Sequence, residues 1–276
     1  MQLTAPPRYI AVDWSGARDP AEARKKIWLA EVANGRFVRL EAGRSREEIA
    51  EHLIDVARSG EPLSVGLDFA FSFPKWFLQQ HKQATARAMW SLVSSQGEGW
   101  LQSCAPPFWG LAGRTKPQGI QHFRLTETLV SKEGLGAPKS VFQIGGAGAV
   151  GKGSVRGMPI LARLSEAGFS VWPFDEPGLH TVVEIYPRVF TKGLVKNDPR
   201  GREAFAGRLE PLPDPHMLRQ VRDSEDALDA AASAAAMSRL LRGLSSPVSL
   251  APEARLEGLI WGPSGSLQHS TGLPAG

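Results

Sequence analysis

The sequence predicts an α/β domain built on a mixed five-stranded sheet with helices on both faces. Three observations predict it. Short apolar runs recur along the chain, too short for helices and bounded by Pro or Gly; an Asn-Gly pair joins two of them as a hairpin; and capped helical patterns fall between the others. At 276 residues and 42% hydrophobic, the chain is long enough to bury a core of its own. The expected domain covers residues 8–263, with Pro- and Gly-rich segments at 1–7 and 264–276 as flexible termini.

The first strand is Tyr9-Ile-Ala-Val-Asp-Trp-Ser-Gly16, an apolar run ending in one carboxylate and a tight turn. Lys26–Val32 and Arg36–Glu41 flank Asn34-Gly35 and read as an antiparallel pair. Ser45 and Glu48 form a capping box, and Ile49, Leu53 and Val56 follow at helical spacing up to Gly60. Leu63–Ser72 is the next buried strand. Residues from about 74 to 180 then lose periodicity and read as a large insertion between the fourth and fifth strands, with a helix from about Met158 to Ala167. Thr181–Tyr186 is the fifth strand, stopped by Pro187. An alanine-rich helix starts near Asp223, and Glu257–Trp261 reads as a late edge strand.

Composition narrows the function. The formal charge of +4 is compatible with an anionic ligand but far below the density of a dedicated nucleic-acid arm. The one cysteine, Cys104, excludes intramolecular disulfides and cysteine-rich zinc sites, and Ala105, Pro106 and Pro107 beside it include no activating base. No apolar run approaches the roughly 18 residues of a membrane span, and the N-terminus lacks the pattern of a secretory signal. No membrane partner is expected, and the expected location is cytoplasmic. Eight tryptophans against two tyrosines are expected to pack the core.

The carboxylates carry the chemistry. Asp13, Asp68 and Glu184 each stand towards the end of an apolar strand, and Asp226 and Asp229 lie three apart on one face of the late helix. Each alone has a plain alternative as a turn, cap or surface residue. Together they converge if the strands are neighbours, and clustered carboxylates repel unless a proton or a cation joins them. Oxygen-only donors suit Mg²⁺ or Mn²⁺, which stabilise both oxygens of a phosphoryl displacement.

The segments YIAVDWSG, LDFAFSFP, QIGGAGAVGKGSVRGMPIL, EIYPR, SEDALDAAASA and EGLIWGP, spread over residues 9–263, resemble the DUF429 family of predicted nucleases with a ribonuclease H-like fold. The resemblance implies that fold and metal-dependent hydrolysis of phosphodiester bonds in DNA or RNA. By position it implies divalent-ion ligands at Asp13, Asp68 and Asp226 or Asp229, with Glu184 as the additional acid. Two other functions fit the same pattern: a nucleotide-binding phosphotransferase or ATP hydrolase of the actin-like branch, and a catalytically silent nucleic-acid-binding module.

Candidate phosphate contacts are Arg114, Lys116 and Arg124, in a Gly- and Pro-rich segment expected at the surface, and Lys152 and Arg156. The last two follow Gly146-Ala-Gly-Ala-Val-Gly151-Lys152-Gly153-Ser154, which departs from a nucleotide phosphate loop because Gly153 replaces the hydroxyl residue that would bind Mg²⁺. The plain alternative for that stretch is a linker. His180 is a candidate general base or simply a strand-edge residue, and Ser15 and Ser72 lack a histidine partner in any recognisable elbow.

Overall fold

Period-two alternation in the central strands sorts the core into two layers, one on each face of the sheet. The structure is a computed structural model and describes residues 7–241 and 244–262. Apart from Pro7, the expected flexible termini lie outside the described residues.

In chain order the elements are β1 (Arg8–Asp13), α1 (Pro20–Lys26), β2 (Trp28–Ala33), β3 (Arg36–Ala42), α2 (Arg46–Ala57), β4 (Leu63–Leu67), α3 (Lys75–Gln80) and α4 (Ala86–Ser103). They continue with α5 (Leu125–Lys132), α6 (Gly151–Glu166), β5 (Ser170–Val171), β6 (His180–Glu184), α7 (Pro199–Ala206), α8 (Pro215–Asp223), α9 (Glu225–Leu240) and α10 (Ala254–Glu257). The sheet order is β3-β2-β1-β4-β6-β5. Strand β2 runs against β1 and β3, whereas β1, β4, β6 and β5 are mutually parallel. Among the described residues no helix is long and apolar enough to cross a membrane.

On one face, Ile10 and Val12 of β1 and Val65 and Leu67 of β4 pack with residues of α2, α4 and α6. On the other, Tyr9 and Ala11 meet α9 through Ala227, Ala230, Ala231 and Ala234. Alanine has no side chain beyond Cβ, so α9 approaches the sheet closely, and its high helix propensity supports the helix without bulky packing. Helices therefore cover both faces. The hairpin forms as expected, with Asn34 and Gly35 both at positive φ (52° and 70°), the conformation a two-residue turn between right-twisted strands requires. The capping box also forms: Glu48 N donates to Ser45 Oγ and Ser45 N to Glu48 Oε2.

Three expectations are corrected. Among the described residues the sheet has six strands rather than five, because Ser170–Val171 adds a short strand parallel to β6; two residues carry no periodicity to read. Glu257–Trp261 is not a strand: the chain finishes α10 and then makes one bridge, Ile260 to Glu184. The insertion helix begins at Gly151 rather than near Met158 and carries Pro159 in its interior. Glycines there read as loop because they weaken a helix, yet they serve close packing. A Cβ on Gly16 would lie 2.6 Å from Gly153 N and 2.8 Å from Lys152 Cβ, so the turn after β1 rests directly on the first turn of α6.

Candidate functional site

Strand register decides which acids meet. Val12 stands opposite Leu67, and Leu67 opposite Glu184, along parallel strands. Asp13 therefore ends β1 at the level where Asp68 leaves β4, and Glu184 ends β6 beside it. The carboxyl ends of parallel strands are where open α/β sheets place ligands. Asp68 N donates to Val12 O at 3.1 Å, which pins the two strand ends together. Helix α9, packed on β1 and β2, adds Asp226 in its first turn and Asp229 one turn on. Ser224 starts that helix, its Oγ accepting from Ala227 N at 3.1 Å.

The electrostatics are those of an under-compensated acid cluster. Asp13 is 9% exposed, and its pKa is pushed well above the usual carboxylate range by burial and then by Asp68, Asp229 and Asp226. The pKa of Asp68 is raised to about 8, by burial first and then by Asp229, with Lys196 opposing. Burial also raises Asp226 and Asp229. Lys196 is the resident cation: its Nζ donates to Asp229 Oδ1 at 2.5 Å and to Oδ2 at 2.6 Å. Asp68, Asp229 and Lys196 line a cavity of about 530 Å³ with Tyr186, Arg188 and Gly136.

Glu184 reaches the same end of the sheet, but both of its oxygens are engaged. Arg124 Nη2 donates to Oε1 at 2.5 Å and Nη1 to Oε2 at 2.9 Å, and Phe71 N adds a third bond to Oε2 at 2.9 Å. Arg124 also donates to Glu127 Oε1 and to the carbonyl of Glu257. At 1% exposure, Arg124 is no surface contact for phosphate; it is the centre of a buried Glu127–Arg124–Glu184 triad. The Gly and Pro residues before it signalled a surface segment, but of its two acid partners only Glu127 is local, and Glu184 lies sixty residues away.

The other expected cations lie elsewhere. Arg114 and Lys116 are exposed, with Lys116 Nζ 5.7 Å from the centre of the Trp109 ring and 5.4 Å from that of Phe123. Lys152 and Arg156 line a separate cavity of about 280 Å³ with Arg18 and Gly16. Arg156 is already engaged by Glu98 at 2.6 Å and by the carbonyl of Gly16. His180 pairs with Leu63, at the opposite end of β6 from Glu184, so it cannot serve as base for the acids. Sequence reasoning missed Lys196, Arg188 and Tyr186. The tripeptide Tyr186-Pro187-Arg188 after the third acid strand hinted at the last two, and nothing local marked Lys196.

The donor chemistry fits a hard divalent cation: Asp13, Asp68, Asp226 and Asp229 offer oxygen only, and burial together with the neighbouring acids raises the pKa of Asp13. Among the described residues no three acidic, histidine or cysteine side chains form a ready metal-holding group. Asp229 is held by Lys196 instead. No family model matches the chain, and no curated protein or solved structure matches it either.

Proposed function

We propose that this protein is a Mg²⁺- or Mn²⁺-dependent phosphodiesterase acting on nucleic acid, with a ribonuclease H-like fold of the kind its DUF429-like motifs imply. The observation that carries the reading is the Asp13–Asp68 pair on adjacent parallel strand ends, with Asp229 beside it and too little positive charge to balance it. A mixed sheet in which only β2 is reversed, with the first acid on its central strand, supports the fold. In this reading Asp13, Asp68 and Asp229 hold the cation, with Asp226 at the rim. Bound divalent ions supply charge neutralisation and an activated water.

The chain's own groups do the rest. The Arg124–Glu184 pair fixes the end of β6 and leaves Glu184 as a positioning residue behind Asp68. Arg188 and Lys196 line the cavity where a phosphate would sit against the acids.

Purified protein is expected to cleave a mixed panel of DNA and RNA only with Mg²⁺ or Mn²⁺, and Asp13→Asn to lose that cleavage. Millimolar Mn²⁺ is expected to raise the melting temperature of the wild type, since a ligand bound only by the native state stabilises it. Equal cleavage by both proteins, or no thermal shift with either ion, would sink the proposal and leave a silent binding module as the better description.

A further inference from the structure

We propose that Lys196 is a built-in competitor for the divalent cation: its ammonium holds Asp229 until the ion arrives, and the displaced ammonium then joins Arg188 in gripping the substrate phosphate. This inference rests on the metal-dependent reading above and deepens it by assigning a residue that couples ion loading to phosphate binding.

The geometry singles out this lysine. Nζ sits nearly equidistant from the two oxygens of Asp229, at 2.5 and 2.6 Å, facing the carboxylate as a small cation would. Its charge is also felt at Asp13, Asp68 and Asp226. The backbone that carries it is fastened from behind. Arg202, 5% exposed, donates from Nη1 to Lys196 O at 2.5 Å and from Nε to the carbonyls of Val221 and Arg222 at the end of α8, each at 3.1 Å. Arg188 Nη1 donates to Leu194 O at 2.9 Å, which ties the loop to the segment after β6. With the main chain fixed, the movable part is the four-carbon side chain, which swings without remodelling the loop.

Charge explains why the lysine would yield. One ammonium engages Asp229 alone, whereas a divalent ion brings twice the charge and accepts several oxygens at once. Once Asp229 turns to the ion, Nζ loses its partner. It is left in a cavity that it shares with Arg188, and an anion is the group that satisfies two cations there. Ion and phosphate then bind cooperatively, because each removes an obstacle to the other; couplings of this kind typically run from about 5- to 150-fold.

The test measures Mn²⁺ affinity by paramagnetic resonance on the wild type, Lys196→Met and Lys196→Gln, with circular dichroism to establish that each is folded. Both variants are expected to bind Mn²⁺ about tenfold more tightly than the wild type, in line with such couplings. Inorganic phosphate in millimolar Mg²⁺ is expected to raise the melting temperature of the wild type but not of either variant. Unchanged or weaker Mn²⁺ binding by the folded variants overturns the inference while leaving the metal-dependent reading intact. Tighter Mn²⁺ binding with an undiminished phosphate shift overturns the second half, the grip on phosphate. If neither wild type nor variants bind Mn²⁺, the metal-dependent reading falls first and this inference with it.

Discussion

Arg124 shows what a single buried guanidinium controls. It holds Glu127 and Glu184 at once and donates to the carbonyl of Glu257, so it ties α5 of the insertion to β6 and to α10. Replacing it with methionine keeps most of the volume but leaves two buried carboxylates without a partner. Truncating one member of a buried ion pair costs about 3–5 kcal/mol, far more than any surface pair would. Arg124→Met is therefore expected to lose stability of that order in urea unfolding, and adding Glu127→Gln with Glu184→Gln to recover part of it. A loss under about 1 kcal/mol would show that the triad is not what joins these elements. The contrast with Asp13 is one of legibility. An acid closing an apolar run is visible in the sequence because burial next to Val12 makes an unpaired charge untenable. An arginine's burial is invisible when one of the acids that neutralise it, Glu184, comes from a strand sixty residues away.

At the scale of elements, what was legible was local chemistry. The hairpin at Asn34-Gly35 and the helix opened by Ser45 and Glu48 depend on residues within four positions of one another, and both form as read. The start of α6 was not legible, because its glycines answer to packing from elsewhere in the chain, Gly151 to the backbone of Val141 and Gln143 and Gly157 to the Phe69 ring, while the turn at Gly16 rests on Lys152 and Gly153. That contact makes a prediction. In Gly16→Ala the new Cβ would meet Gly153 N at 2.6 Å, and backbone cannot rotate away as a side chain can. Overpacking of this kind costs about 1–3 kcal/mol. The strain falls on the turn bearing Asp13, so Mn²⁺ binding should weaken along with stability. Gly99 in α4 is the control: a Cβ there meets nothing within 4 Å, and alanine in an open helical position stabilises by about 0.5–1 kcal/mol. A Gly16→Ala protein as stable as wild type, with unaltered Mn²⁺ affinity, would refute the claim that α6 buttresses the acid turn.

The whole molecule carries its acid cluster as a pH-dependent liability. Asp68 titrates near 3.8 when unfolded and at about 8 when folded, and Asp13 is displaced in the same direction. Between those values the native state keeps protons that the unfolded chain has released, so stability falls as pH rises and the loss is complete only above the folded value. Three histidines act in the opposite sense. Burial lowers His52, His81 and His180 below 6.5, so they withhold stability at acid pH and stop contributing to the slope once the unfolded chain's imidazoles are neutral. The window from pH 7 to 9 therefore isolates the carboxylates. Across it the melting temperature is expected to fall by several degrees, at about 2–4 °C per kcal/mol for a chain of this size, and Asp68→Asn is expected to flatten the fall. Millimolar Mg²⁺ should reverse it, with a thermal shift that grows with pH because the ion and the protons compete for the same oxygens. A wild-type slope that survives in Asp68→Asn would place the titration elsewhere. A Mg²⁺ shift independent of pH would mean that the ion binds away from Asp13 and Asp68. The same charge that makes the native state weaker at alkaline pH is thus the charge that would draw a cation, and with it a phosphate, to the ends of β1 and β4.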